Sequence, residues 1–253
     1  MPAQRDPPRP RPPAPADDWA LFLDVDGCLL DFADAPDAVT VPASLHATLQ
    51  HLSQRLRGAL ALVSGRALLR IDELFAPMRL PAAGLHGLER RSTVAQLSPP
   101  PIPPALAAIH EEAREVAAAW PGTLVEDKGS ALGLHWRAEP RAATVLRTFA
   151  EAVLPRLPGY RLQHGDHVVE LRPSAGDKGE AILALLEEVP FRGRVPVFVG
   201  DDLTDESGFA VVNAHGGMSV LVGQREPSAA HYALRDPAAV RAWLDGSDGD
   251  AGA

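Results

Sequence analysis

Short, uninterrupted apolar segments alternate with amphipathic stretches near both ends of the chain. Runs such as Leu21-Phe22-Leu23 are apolar at every position, which is typical of strands buried on both faces of a parallel sheet. Strand, helix and strand in succession form the repeat of a doubly wound α/β sheet. The predicted strands are 21–25, 59–63, 80–83, 169–171, 195–199 and 218–222, and the predicted helices are 43–56, 67–74, 178–188 and 206–212.

The middle of the chain has a different order of elements, with short strands around two amphipathic helices. In the first helix, apolar residues recur at the three- and four-residue spacing of one helix face. This order indicates a small α+β layer inserted into the sheet. The predicted elements are strands 92–97, 123–126, 131–136 and 160–164 with helices 104–120 and 141–154.

These patterns predict an α/β protein with a doubly wound, Rossmann-like core and an inserted α+β cap domain. We expect the core to comprise residues 18–89 and 167–245, and the cap to comprise residues 90–166. The Pro- and Arg-rich segment 1–17 has little apolar surface to bury, so we expect a disordered arm. Residues 246–253, rich in Gly and Asp, are expected to form a flexible tail.

Composition narrows the classes of partner. The net charge of −9 and the pI near 5.4 argue against nucleic acid or an anionic membrane as a partner. The lone Cys28 cannot form an intramolecular disulfide and fits a reducing cytoplasm. No apolar run approaches the ~18 residues of a membrane span, and segment 1–17 is not expected to be a secretory signal. We expect a cytoplasmic location; the sequence does not determine the oligomeric state, for which a monomer is the expectation.

Acidic pairs follow two of the predicted buried strands. Asp24 and Asp26 come directly after one, and Asp201, Asp202 and Asp205 follow another. A strand-end Asp often only caps a turn. Two such clusters, however, meet at the carboxyl edge of a parallel sheet, where their mutual repulsion calls for a divalent cation. Mg²⁺ fits best because it uses few carboxylates and substrate phosphate oxygens, whereas no calcium-type loop is present.

Two further motifs have the character of phosphate-binding groups. Ser64-Gly65-Arg66 ends the predicted strand 59–63, where a hydroxyl and backbone N–H groups are suitable phosphate donors. Lys178 begins a predicted helix, a position that is mildly unfavourable for a cation unless an anion lies nearby. The alternatives are that Ser64 is a plain helix N-cap and that Lys178 is a solvated surface residue.

The order of these motifs resembles that of the haloacid dehalogenase superfamily of phosphatases. It runs Asp-x-Asp-Gly, Ser-Gly-Arg, Lys and Gly-Asp-Asp-x-x-Asp. One departure is Cys28, which stands where the superfamily usually has Thr. Further segments, over roughly residues 19–244, resemble the trehalose-6-phosphate phosphatase family, namely 84–90, 126–129, 135–137 and 169–173.

The resemblance implies an Mg²⁺-dependent phosphoric monoester hydrolase that converts trehalose 6-phosphate to trehalose and phosphate, the last step of trehalose biosynthesis. It implies that Asp24 is the nucleophile that becomes an aspartyl-phosphate, and that Asp26 is the general acid and base. Mg²⁺ would be held by Asp24, the backbone carbonyl of Asp26 and Asp201. Asp202 and Asp205 would orient its waters or the catalytic lysine.

The same resemblance implies that Ser64, Gly65, Arg66 and Lys178 bind the phosphoryl group.

Sugar recognition is implied for a second group of residues. Glu126 and Lys128 lie two apart on one predicted cap strand, as do His135 and Arg137 on the next, and Glu170 lies between cap and core. Carboxylate and ammonium groups suit sugar hydroxyls. The alternative is a salt-bridged, solvated outer face of the cap sheet.

Other functions share part of this pattern. A phosphatase for another sugar phosphate, such as sucrose phosphate or mannosylphosphoglycerate, would share the core and differ in the cap. A phosphosugar mutase would retain the phosphoryl group. A catalytically dead sugar-phosphate sensor is disfavoured because Asp24, Asp26, Lys178 and Asp201 are all present. His86 is interpreted as an ordinary turn histidine.

Overall fold

The computed structural model describes residues 9–31, 39–93, 96–97 and 101–247. Among the helices in these ranges, none combines the length and apolar character that a membrane crossing requires. The strands are β1 Trp19–Leu23, β2 Leu60–Val63, β3 Ala82–Gly84, β4 Glu89–Arg91, β5 Gln96–Leu97, β6 Leu124–Asp127, β7 Leu132–His135, β8 Tyr160–Gly165, β9 Val168–Pro173, β10 Val195–Gly200, β11 Met218–Val222 and β12 Tyr232–Leu234. The α-helices are α1 Ala43–Arg55, α2 Leu68–Leu74, α3 Pro104–Ala118, α4 Ala143–Val153, α5 Lys178–Leu186, α6 Glu206–Ala214 and α7 Pro237–Asp245.

The larger sheet has the order β12-β11-β10-β1-β2-β3-β4-β5, with antiparallel pairing only at β3-β4 and β4-β5 among the described strands. All residues of β1 and β2 are buried, as expected for central strands covered on both faces. Leu23 of β1 is in register with Val199 of β10 and with Leu62 of β2. The carboxyl ends of these three strands therefore meet at one edge, and this confirms the predicted α/β class.

The smaller sheet is antiparallel, in the order β6-β7-β9-β8. Its apolar face packs on α3 and α4 in a second hydrophobic core that includes Leu134, Val169 and Leu171. Residues that alternate with these lie on the other face, because successive side chains of a strand point to opposite sides. That second face carries Glu126, Gly133 and Glu170, which are in register across β6, β7 and β9.

The predicted cap boundaries need correction at both ends. β9 was assigned to the core, but its six residues pair with β7 and β8 of the smaller sheet. β5 falls within the predicted cap range 90–166, but it pairs with β4 at the edge of the larger sheet. The sequence of a short strand shows which of its faces is apolar, but it does not show which strand it pairs with. These two assignments therefore depended on the assembled sheets.

The segment before β1 lies against the larger-sheet core. The indole N–H of Trp243 donates to the Pro13 carbonyl at 2.8 Å, and the backbone N–H of Ala233 donates to the Pro10 carbonyl at 3.0 Å. Proline lacks an amide donor but keeps a carbonyl acceptor. A Pro-rich segment can therefore dock through its carbonyl oxygens without an apolar stripe.

The prediction of a disordered arm over residues 1–17 is therefore wrong for residues 9–17, which dock as described. Residues 1–8 of that arm lie outside the described residues, as do residues 248–253 of the predicted tail.

Deleting residues 2–16 should lower the free energy of unfolding by roughly 1–3 kcal/mol, because the indole N–H of Trp243 and the backbone N–H of Ala233 lose their acceptors. Thermal and urea unfolding measure the change. The matched control deletes residues 2–8 only and should cost less than the longer deletion. Equal stability of the two truncated proteins would show that residues 9–16 contribute nothing.

Candidate active site

One cleft between the two sheets collects the predicted site residues. It is lined by all of them except Asp205, which is completely buried and contacts Lys178. From the larger-sheet side come residues at the ends of β1, β2 and β10 and at the start of α5. From the smaller sheet come residues of β6, β7 and β9 and the turns beside them. The lining predicted residues are Asp24, Asp26, Ser64, Gly65, Arg66, Glu126, Lys128, His135, Arg137, Glu170, Lys178, Asp201 and Asp202.

Lys178 forms the centre of a buried ionic group. Its Nζ lies 2.9 Å from Asp24 Oδ1 and 2.6 Å from Asp205 Oδ1, and the residue is only 2% exposed. Burial alone lowers the pKa of Lys178, but the charges of Asp205 and Asp24 outweigh it and raise that pKa. The lysine is therefore a fixed positive charge beside the Asp24 carboxylate, which excludes the solvated-lysine alternative.

Asp205 also shapes the acidic loop after β10. Its Oδ2 accepts hydrogen bonds from the backbone N–H groups of Asp201 at 2.9 Å and Asp202 at 2.8 Å. One oxygen of Asp205 thus holds the loop and the other holds Lys178. The positions of the two loop carboxylates depend on this single buried side chain.

Three carboxylates form a compact group that fits a hard divalent cation. Asp24, Asp201 and Asp205 offer oxygens that all lie within 4.8 Å of one another. Asp201 Oδ1 is buried and has no hydrogen-bond partner among the described residues. Burial first, and then the charge of Asp205, raise the pKa of Asp201 to about 7. A buried carboxylate oxygen without a hydrogen-bond donor, beside two other carboxylates, is what coordination to a cation would relieve.

Burial also raises the pKa of Asp24; Lys178 opposes the shift, and Asp205 and Asp201 reinforce it.

Arg66 is directed at Asp26. Its Nε donates to Asp26 Oδ2 and its terminal nitrogen donates to Asp26 Oδ1, both at 2.7 Å. The predicted role of Arg66 in phosphate binding stays a prediction, and in this structure its guanidinium pairs with the Asp26 carboxylate. Ser64 is buried, and its Oγ accepts from the Arg66 backbone N–H at 3.1 Å.

The polar face of the smaller sheet carries a connected group of charges. Lys128 forms an ion pair with Glu170 and lies 3.8 Å from Glu126 Oε2. His135 Nε2 lies 2.8 Å from the same Glu126 oxygen. The side chains of Lys128 and Glu170 are only 12% and 8% exposed, so the alternative of a solvated outer face does not apply to them.

Burial raises the pKa of Glu170, but Lys128 and His86 outweigh it and hold that pKa well below its usual range.

Gly133 provides the concavity between these side chains. A Cβ at this position would lie 2.9 Å from His135 Nε2 and 3.4 Å from Glu126 Oε2. Because Gly133 stands between Glu126 and Glu170 in the register, its missing side chain leaves room for a polar ligand over the sheet.

Arg137 forms an ion pair at the rim of the cleft, where its terminal nitrogen lies 2.9 Å from Asp166 Oδ2.

Sequence reasoning missed two parts of the cleft. His86 was interpreted as a turn histidine, but its Nε2 lies 3.4 Å from Glu170 Oε2 in the cleft wall. The signal available was its place within segment 84–90, one of the segments that carried the resemblance. Asp166 and His167, in the turn between β8 and β9, line the mouth. No sequence signal marked them, because their place depends on how the smaller sheet faces the larger one.

Without a bound cation, Asp201→Asn should be more stable than the parent at pH 8, by roughly 1–4 kcal/mol. The pKa of Asp201 is raised in the folded protein from about 3.8 to about 7, so its contribution favours folding at low pH. That contribution is lost as pH rises from about 4 to 7. Unfolding in EDTA at pH 5 and pH 8 measures the difference, and the gain should shrink at pH 5.

Adding MgCl₂ should stabilise the parent and not Asp201→Asn. If neither EDTA nor MgCl₂ changes the unfolding temperature of the parent, the assignment of a cation site is contradicted.

Comparison with known proteins agrees with this geometry. The trehalose-phosphatase family model matches residues 22–238. The chain is 46% identical over 213 residues to a probable trehalose-phosphate phosphatase of Sinorhizobium fredii, covering 84% of this chain and 80% of the relative. It is 44% identical over 228 residues to a trehalose-6-phosphate phosphatase of Escherichia coli, covering 90% and 85%.

A solved structure shows the same fold. The C-terminal domain of C. albicans trehalose-6-phosphate phosphatase superposes with a TM-score of 0.77 at 19% identity, covering 90% of this chain and 91% of that one. Together with the family match over most of the sequence, this establishes that the chain belongs to the trehalose-phosphatase family.

Proposed function

We propose that the protein hydrolyses trehalose 6-phosphate to trehalose and phosphate. The observation that carries the proposal is one cleft that joins the buried Asp24–Lys178 pair to the partly buried Lys128–Glu170 pair. The first pair suits phosphoryl transfer, and the second suits sugar hydroxyls. Relatives that share 44–46% of its residues are named for phosphatases of this substrate. A cytoplasmic location is part of the proposal, supported by a single cysteine, Cys28, which is buried.

In the first displacement, an Asp24 carboxylate oxygen attacks phosphorus. The new bond forms an aspartyl-phosphate while the bond from phosphorus to the sugar oxygen breaks. Asp26 donates a proton to the departing oxygen. Because Arg66 donates to both oxygens of Asp26, this ion pair must open before Asp26 can reach the departing oxygen. The arriving phosphate dianion competes for the guanidinium, so Arg66 passes from Asp26 to the substrate.

In the second displacement, water replaces the aspartate. Asp26, now ionised, accepts a proton from the water as its oxygen attacks phosphorus. The bond from phosphorus to Asp24 breaks, which frees inorganic phosphate and regenerates the carboxylate. Lys178 remains beside Asp24 throughout and neutralises charge on the phosphoryl oxygens.

We assign the cation as Mg²⁺, held by Asp24, the Asp26 backbone carbonyl and Asp201. Three clustered carboxylates and an unpartnered Asp201 oxygen support the assignment. When bound, Mg²⁺ supplies positive charge beside the transferring phosphoryl group. Asp205 holds the loop that carries Asp201 and Asp202. We place Asp202 at the cleft wall, where it can orient water.

The remaining groups bind the two ends of the substrate. Ser64 and the N–H groups of the Gly65 turn donate to phosphoryl oxygens. Glu126 and Glu170 accept from sugar hydroxyls, and Lys128 donates to them.

His135 orients Glu126 through their 2.8 Å contact, and Arg137 closes the rim of the cleft with Asp166.

Replacing the proposed nucleophile tests the chemistry. Asp24→Asn should lower phosphate release from trehalose 6-phosphate by about 10³-fold or more, because an amide is a poor nucleophile. Its unfolding temperature should not fall, since a buried carboxylate is removed without change of shape. Asp18→Asn, at an exposed position, is the matched control. Turnover by Asp24→Asn within ten-fold of the parent would remove Asp24 from the nucleophile role.

A second pair of variants tests sugar recognition. Glu126→Gln and Lys128→Met should lower kcat/KM for trehalose 6-phosphate about 5- to 150-fold more than for p-nitrophenyl phosphate, which has no sugar hydroxyls to lose. Glu112→Gln, at a half-exposed position of α3 in the same cap, is the control. Equal losses on both substrates would assign these residues to cap folding or closure instead.

A further inference from the structure

The loop between β3 and β4 holds a strained backbone. Leu85 and His86 have φ angles of 49° and 56°, and Gly87 follows at 105°. Consecutive non-glycine residues in the left-handed region are uncommon, and such strain persists only where surrounding contacts hold it. Here the backbone N–H of His86 donates to the Ser64 carbonyl and that of Leu85 donates to the Arg66 carbonyl, both at 2.9 Å. The loop is therefore pinned to the Ser64-Gly65-Arg66 segment.

Gly65 leaves the space that the His86 ring occupies. A Cβ on Gly65 would lie 2.8 Å from both Cε1 and Nε2 of His86, which is closer than such contacts allow. Gly65 is therefore required to make room for the His86 ring, independently of any close approach of phosphate to the backbone. The ring is held between this motif and the smaller sheet.

The contacts of the ring indicate its tautomer. His86 Nε2 lies 3.4 Å from Glu170 Oε2, at the outer limit of hydrogen bonding, while Nδ1 is buried and has no partner among the described residues. A proton on Nε2 faces the carboxylate, whereas a lone pair there would repel it. Burial lowers the pKa of His86 to about 4, with Lys178 and Arg172 adding to the shift and Glu170 opposing it, so the ring is neutral near pH 7.

We propose that His86 is a positioning residue for sugar recognition, which directs its Nε2–H at Glu170 across the cleft. Glu170 is then held from two sides, by Lys128 of the smaller sheet and by His86 of the larger one. The loop that is hydrogen-bonded to the phosphate-binding segment therefore also positions Glu170, the carboxylate proposed to bind sugar hydroxyls. This inference rests on the proposed hydrolysis of trehalose 6-phosphate.

Two matched variants test the donor at this position. His86→Leu removes the donor and should raise KM for trehalose 6-phosphate ~10-fold, with a smaller change in kcat. His86→Gln keeps an N–H donor near Nε2 and should restore KM to within ~3-fold of the parent. Both replacements face the same backbone strain, and His51→Leu, on the exposed side of α1, is the control. Equal loss in the Leu and Gln variants overturns the proposal.

A double-mutant cycle tests the role of Gly65. Gly65→Ala should damage kcat/KM for trehalose 6-phosphate in the parent, and cost much less when His86→Ala has already emptied the space. Additive losses would show that Gly65 serves something other than the His86 ring. Thermal unfolding of all four proteins confirms that folded enzymes are compared.

The tautomer is measured without any substrate. Nitrogen-15 NMR of the parent should show neutral His86 protonated at Nε2, with its signal shifted by Glu170→Gln. Protonation at Nδ1, or a signal indifferent to Glu170→Gln, overturns the positioning role. Failure of the parent to release phosphate from trehalose 6-phosphate would instead overturn the proposed function, and the NMR result would stand separately.

Discussion

The buried ionic group of Lys178, Asp24 and Asp205 determines the architecture around the cleft. Removing Lys178 from this group would leave two buried carboxylates without a counter-charge, which is strongly destabilising. Lys178 lies at the start of α5, Asp24 at the end of β1, and Asp205 just before α6. Their contacts therefore bring three separate parts of the chain to one point. Asp205 extends this constraint to the loop of Asp201 and Asp202 through two backbone hydrogen bonds.

The same group carries more negative than positive charge. Lys178 alone faces Asp24 and Asp205, and Asp201 adds a third carboxylate nearby. A protein selected for stability alone would replace such a cluster with apolar side chains. Such a cluster is understandable in the core if a bound cation balances its negative charge and a phosphoryl group binds beside it. Burial and the neighbouring carboxylates raise the pKa values of Asp24 and Asp201.

The lysines of this chain lie in the cleft, one in each half of the candidate site. The chain contains 24 basic residues, of which Lys128 and Lys178 are the only lysines. Lys178 is buried, the Lys128 side chain is 12% exposed, and each is paired with a carboxylate. Arginine forms the surface ion pairs and the pair with Asp26, while the compact ammonium of lysine occupies two positions in the cleft wall. This compositional signal was present in the sequence and would have marked both halves of the site.

What the sequence determined by itself was local. Uninterrupted apolar runs identified the central strands, because burial on both faces leaves no polar alternation. The acids after β1 and β10 could be expected to meet, since parallel strands end at a common edge. The resemblance identified Glu126, Lys128 and Glu170 as site residues, and all three line the cleft.

What only the tertiary structure decided was pairing between distant segments. The alternation of β9 is compatible with either sheet, and its partners assign it to the smaller one. Arg66 meets Asp26, and His86 meets Glu170, because two sheets face each other across the cleft. Residues 9–17 dock through carbonyl acceptors, which every residue carries and no composition reveals. Local patterns record which face of an element is apolar, whereas the partner of a polar group depends on how the assembled elements are placed.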